Sequence, residues 1–147
     1  MDAVQNVVCP HCAATNRIAA GRDPLAGRCG ACKAPLFDGH PVDAGAEMYE
    51  RQVARSDVPV LVDVWAPWCG PCRTMAPALV EASARLEPKV RIIKLNSEAE
   101  PDITRRIGIR AVPTMILFRG GRELGRVSGA MGARQIVDWV GSQLRSA

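Results

Sequence analysis

The clearest pattern in the chain is Val60-Leu61-Val62-Asp63-Val64-Trp65, a nearly unbroken apolar run. Such a run reads as a central strand covered on both faces. Upstream, Ala46 to Ala54 sets Met48, Gln52 and Val53 on neighbouring helical turns, and Ser56-Asp57-Val58-Pro59 ends that helix. Downstream, Met75, Leu79, Ala82 and Leu86 recur at helical spacing and define one face of a long helix. Pro77 lies inside it and removes one backbone bond, and Glu87-Pro88 closes it. Val90 to Leu95 is a second buried strand, with Lys94 near its end. Pro101 to Arg106 is a short helix whose Glu100 and Asp102 suit the positive end of the dipole. Met115 to Phe118 is a strand, Arg119-Gly120-Gly121-Arg122 a hairpin turn, and Glu123 to Ser128 the return strand. Ala133 to Leu144 is a last amphipathic helix, with Ile136, Val137, Val140 and Leu144 on its inner face. Strands alternating with helices, then a hairpin and a final helix, predict an α/β sandwich with a mixed sheet.

Composition changes little in this picture. The 147 residues suggest one domain plus an extension, and 48% hydrophobic with 23% charged residues is ordinary for a globular chain. The net charge of +4 is spread out, and no basic run is interleaved with aromatics, so no nucleic acid is expected as partner. Met1 to Val8 has neither a basic start nor a long apolar stretch, so no signal peptide is expected. No segment reaches the ~18 apolar residues of a membrane helix. A cytoplasmic location without membrane contact is the simplest expectation.

The six cysteines change more. They form three pairs of equal spacing: Cys9/Cys12, Cys29/Cys32 and Cys69/Cys72. In a reducing compartment they read as metal ligands or redox groups. Sixteen residues lie between the first two pairs. Each can form a tight knuckle, and two knuckles complete a tetrahedral four-thiolate site, which suits one zinc ion. Residues 1–36 hold few bulky apolar groups, chiefly Ile18, Leu25 and Leu36, so the segment needs the metal to fold. Four thiolates leave no open position, which makes the zinc structural. Free thiols or two disulfides are the alternative. His11 is read as a knuckle residue facing solvent and His40 as a linker residue. Pro35 to Pro41 is punctuated as a linker, with 37–40 at its heart and Phe37 placed to dock the small module on the larger unit of residues 41–147.

The third pair sits in Trp68-Cys69-Gly70-Pro71-Cys72, where the carboxyl end of the Val60–Trp65 strand turns into the amino end of a helix. Free N–H groups and the helix dipole favour a thiolate there. An inert buried pair or a third knuckle is the alternative, but no fourth pair exists to complete a second site. Asp63 is costly on a buried strand unless paired or protonated. It reads either as a proton acceptor beneath the cysteines, with its pKa raised by desolvation, or as an edge carboxylate turned to solvent.

These residues together resemble a thioredoxin. The likeness rests on Trp68-Cys69-Gly70-Pro71-Cys72, Asp63, Trp65, Pro77, Lys94 to Asn96, Val112-Pro113-Thr114, Gly121 and Gly129-Ala130, and covers residues 41 to 147. The four-cysteine extension resembles the zinc-binding subfamily often called thioredoxin 2. Val64 departs from the family, where an aromatic is common. The resemblance implies a thioredoxin fold, a mixed central sheet flanked by helices, with a small zinc-ribbon-like module at the N-terminus. It implies reduction of protein disulfides, with Cys69 attacking as the more exposed thiol and Cys72 resolving. Asp63 would serve as base and Lys94 would tune it. A cis Pro113 would let Val112 meet the substrate backbone, and Trp68, Gly70, Pro71, Gly129 and Ala130 would form a shallow apolar groove. It also implies disulfide-containing proteins and an NADPH-dependent thioredoxin reductase as partners, a monomer, and no bound organic cofactor. Release of zinc by oxidants would make the first four cysteines a sensor of oxidative stress. A binding role for the N-terminal segment has weaker support, because residues 1–40 carry a net charge of only +1 from Arg17, Arg22, Arg28 and Lys33 against Asp2, Asp23 and Asp38.

Overall fold

A computed structural model describes residues 3–147. Its core is a five-stranded sheet in the order β3-β5-β4-β6-β7. The strands are β3 (Val42–Asp43), β4 (Val60–Trp65), β5 (Arg91–Asn96), β6 (Thr114–Arg119) and β7 (Arg122–Ser128). β5 runs parallel to β3 and β4, whereas β6 runs antiparallel to β4 and β7. The helices are α1 (Ala46–Arg55), α2 (Gly70–Leu86), α3 (Pro101–Arg106) and α4 (Ala133–Ser146).

The alternation of side chains along β4 explains the two layers. Val60, Val62 and Val64 join Tyr49 of α1, Ile103 of α3 and Phe118 on one face. Leu61 joins Met75 and Leu79 of α2 and Ile136 and Val140 of α4 on the other. Each such side chain, fully buried, contributes about 1.5–3 kcal/mol. By the same period of two, Asp63 projects to the α2 side of the sheet, the face that Leu61 shares with Met75 and Leu79. Val64 is fully buried, so its departure from the family is a matter of packing. Gly120 and Gly121, at φ of 60° and 80°, make the two-residue hairpin turn that needs positive φ at both positions.

The N-terminal residues build a separate hairpin, β1 (Gln5–Val8) with β2 (Thr15–Ile18), followed by a short 3₁₀ turn at Pro24–Ala26. Val7, Cys9, Ile18, Cys29, Leu36 and Phe37 pack with Val58 of the larger unit, so Phe37 lies in a core the two parts share. The strongest tie is a buried ion pair that the linker reading did not foresee. Arg91 Nη1 donates to Glu87 at 2.9 Å, both side chains being 1% exposed. Arg91 Nη2 donates to the Leu36 carbonyl at 2.7 Å and the Val8 carbonyl at 3.3 Å, and its guanidinium lies 4.5 Å from the Phe37 ring. Glu87 in turn accepts the Gly39 N–H at 2.7 Å, and Gln52 donates to Val8. Residues 36–39 therefore run across a buried polar network as an anchored strap.

Candidate redox and metal sites

Cys69 is the N-cap of α2, and Pro71 occupies the first turn, where a missing N–H costs nothing. Cys69 and Cys72 are disulfide-bonded, with Cα atoms 5.3 Å apart. The Cys72 N–H donates to Cys69 Sγ at 3.2 Å. That is a hydrogen bond an anionic sulfur at this position would keep. The expected difference in exposure is absent: Cys69 is 3% and Cys72 4% exposed in this oxidised form. The helix end, not accessibility, distinguishes the two sulfurs.

The loop before β6 completes the site. The Val112–Pro113 bond is cis, as the resemblance implies. The Val112 carbonyl oxygen lies 3.7 Å from Cys69 Sγ, and Val112 packs with Trp65 around both cysteines. Gly129, at φ of 101°, donates its N–H to the Pro113 carbonyl. Trp68 is 66% exposed beside the disulfide; Pro71, Gly129 and Ala130 are also exposed, and Gly70 is half-exposed. Two positioning groups escaped the sequence reading. Arg73 donates to the Pro67 carbonyl at 2.7 Å and pins the turn carrying Trp68, and Thr114 Oγ1 donates to the Ala111 carbonyl at 2.6 Å and pins the loop carrying Val112. Arg73 directly follows the cysteine pair, but no periodicity marks its role.

Asp63 is buried, and its Oδ1 has no hydrogen-bond partner. Burial pushes its pKa up to about 7, and the positive charge of Lys94 pulls partly the other way. The two face each other in register across β4 and β5, and Lys94 Nζ lies 5.0 Å from the centre of the Trp65 ring. The solvent-facing alternative for Asp63 is thereby ruled out.

The other four cysteines converge. All four sulfurs lie within 4.8 Å of one another, with Cys9–Cys32 and Cys12–Cys29 at 3.6 Å. A tetrahedron of sulfurs ~2.3 Å from an ion has edges of about 3.8 Å, so the donor set fits a metal of zinc's size. The two knuckles repeat each other bond for bond. Ala13 N–H donates to Cys9 O and Cys9 N–H to Ala14 O; Lys33 N–H donates to Cys29 O and Cys29 N–H to Ala34 O. Ala13 and Lys33 hold matching φ of 66° and 69°. The N–H groups of His11 and Ala31 point at Cys9 and Cys29, and the Asn16 amide adds a second donor to Cys29. Such bonds, led by the Cys32 N–H, pull the Cys29 thiol down to about 6. His11 lies 3.9 Å from Asp38 and stays out of the sulfur cluster.

A mixed sheet that presents a cysteine pair at a helix start, against a cis-proline loop, and that buries a carboxyl on its central strand, defines a dithiol–disulfide exchange protein. The thioredoxin family model matches residues 41–142, and the chain belongs to the thioredoxin family. Among its relatives, "Thioredoxin C-3" of Corynebacterium nephridii is 33% identical and aligns over 95% of both chains, so that likeness includes the N-terminal extension. "Thioredoxin 1" of Nostoc sp. is 45% identical over 56% of this chain and 78% of its own length. Among solved structures, chloroplastic thioredoxin z superposes with a TM-score of 0.65 at 28% identity, covering 72% of this chain and 96% of that one.

Proposed function

We propose that the chain reduces protein disulfides, with Cys69 as nucleophile, Cys72 as resolving thiol, Asp63 as base and Lys94 as its electrostatic partner. The observation that carries this reading is the Cys69 sulfur at the start of α2, receiving the Cys72 N–H at 3.2 Å. A free thiol of pKa near ~8.5 is only about 3% ionised at pH 7, and half ionisation requires roughly 2 kcal/mol. A helix dipole supplies ~0.3–1 kcal/mol, so direct hydrogen bonds to sulfur must contribute the remainder.

The Cys69 thiolate attacks one sulfur of the substrate disulfide, and the other leaves as a thiolate that takes up a proton. Cys72 loses its proton towards Asp63 through a water and attacks Cys69 Sγ. This expels the second substrate sulfur and leaves the Cys69–Cys72 disulfide. A carboxyl near pKa 7 is matched to that transfer at neutral pH. Trp68, Gly70, Pro71, Val112, Pro113 and Gly129 form the substrate surface. An NADPH-dependent thioredoxin reductase restores the dithiol.

The metal of the four-thiolate site is zinc, held by Cys9, Cys12, Cys29 and Cys32, and its role is structural. The chain divides into a metal module at 1–36, a connection at 37–40 and a redox unit at 41–147. It works as a monomer in the cytoplasm under oxidative stress; no helix among the described residues is long and apolar enough to cross a membrane. Insulin reduction with NADPH and thioredoxin reductase tests the proposal. Cys69→Ser should abolish turnover and Asp63→Asn should slow it; unchanged turnover in Cys69→Ser would remove the assigned nucleophile.

A further inference from the structure

The outer edge of β2 and the cavities beside it have no part in the redox chemistry. Among the described residues β2 pairs with β1 alone, in a register that sets Asn6 opposite Arg17 and Val8 opposite Thr15. Asn6 turns its backbone groups away from β2, exchanging bonds with Asp57, and the Val8 carbonyl accepts from Gln52 and Arg91. Opposed residues of an antiparallel pair turn the same way, both inward or both outward. Thr15 and Arg17 therefore direct their N–H and C=O groups outward, where no group among the described residues meets them.

Two adjoining cavities lie along this strand. One, of about 400 Å³, is lined by Arg17, Arg22 and Arg28 over the buried Ile18 and Leu36. The other, of about 410 Å³, shares Ile18 and Arg22 and reaches Lys89 on the larger unit. Among the described residues, one lining acid stands against these four cations, Asp23, whose carboxylate already accepts the Leu25 N–H. No carboxylate among the described residues lies within ion-pair distance of any of the four.

We propose that this edge docks an extended acidic segment of a partner protein, which adds to β2 as a third strand and sets its carboxylates against Arg17, Arg22 and Arg28. The open backbone groups of Thr15 and Arg17 give the hydrogen bonds of strand addition, and the guanidinium forks give the preference for carboxylates. The apolar floor of Ile18 and Leu36 accepts the alternate side chains. The inference stands apart from the redox reading. Where that reading also holds, the docked segment would raise the effective concentration of its own disulfide at Cys69.

The test uses the full metal-loaded chain and a fluorescein-labelled hexapeptide of alternating glutamate and valine, followed by anisotropy. Saturable binding is expected, at least tenfold tighter than that of the lysine–valine peptide. N-methylation of alternate amides in the acidic peptide should weaken it at least tenfold. Arg17→Glu combined with Arg22→Glu should weaken it similarly, with metal content and insulin reduction unchanged. In the unaltered protein, the amide resonances of Thr15 and Arg17 should shift on titration. Equal affinity for acidic and basic peptides, indifference to N-methylation, or shifts confined to other strands would overturn the proposal. Tighter binding of an oligothymidylate than of the peptide would replace the partner with a nucleic acid and also overturn it.

Discussion

Replacing Asp63 by Asn should stabilise the oxidised protein, and the gain should depend on pH in a set way. Asp63 is 1% exposed, its Oδ1 lacks a partner, and burial lifts its pKa from an ordinary 3.8 to about 7. The folded state thus holds a proton that the unfolded chain has already released. Stability from this group is full below about pH 4 and declines as pH rises through the folded pKa. At about 1.36 kcal/mol per unit, a shift of roughly three units amounts to about 4 kcal/mol above pH 7. Asn has nearly the same shape and no charge to bury. The disulfide form is the right state for the measurement, because Cys69 and Cys72 then carry no protons. Urea unfolding of both proteins from pH 5.5 to 9, followed by tryptophan fluorescence, gives the difference at each pH. The variant's advantage should grow by about 2 kcal/mol between pH 5.5 and 7 and level off above. An advantage independent of pH, or a wild type more stable at pH 9, would refute the burial of an acid at this site.

Arg91→Ala should cost about 3–5 kcal/mol, because it leaves Glu87 charged and buried and deprives the Leu36 and Val8 carbonyls of their donor; denaturant melts and the rate of metal loss to a chelator both read it. Stripping the metal should erase amide protection in β1 and β2 while β4 to β6 keep theirs, since the latter have their own apolar layers; hydrogen exchange with mass analysis resolves the two. Trp68→Ala should change stability by less than about 0.5 kcal/mol, given its exposure, yet lower kcat/KM for insulin several-fold.

The redox unit was legible because its signals are local. The apolar run at β4, the helical spacing of Met75, Leu79 and Ala82, and the paired glycines at the hairpin each depend on neighbours in sequence. Asp63 stood out for the same reason, as a charge inside an apolar run. Arg91 did not stand out, although it is the second residue of a strand read as buried and opens the strand observed there. Its partners lie at Glu87, Leu36 and Val8, and contacts from the last two leave no periodic mark. The strap at residues 36–39 looked like a linker because Gly39 and the flanking Pro35 and Pro41 disguise an anchored segment. β3, of two residues, is too short to show a period, and the β1–β2 hairpin was hidden behind the cysteine knuckles that bound it. The equal burial of Cys69 and Cys72 depends on Ala66, Trp65 and Val112 closing around the pair, which spacing alone does not describe.

The most direct measurement of the central claim is covalent trapping. A disulfide-containing protein substrate is mixed with the reduced Cys72→Ser and Cys69→Ser variants, and intact complexes are mapped by mass spectrometry. Cys72→Ser should accumulate a mixed disulfide through Cys69, and Cys69→Ser should accumulate none at a comparable rate. A complex that forms instead through Cys72, or through any of Cys9, Cys12, Cys29 and Cys32, would contradict the assignment of the helix-capping sulfur as the one that attacks.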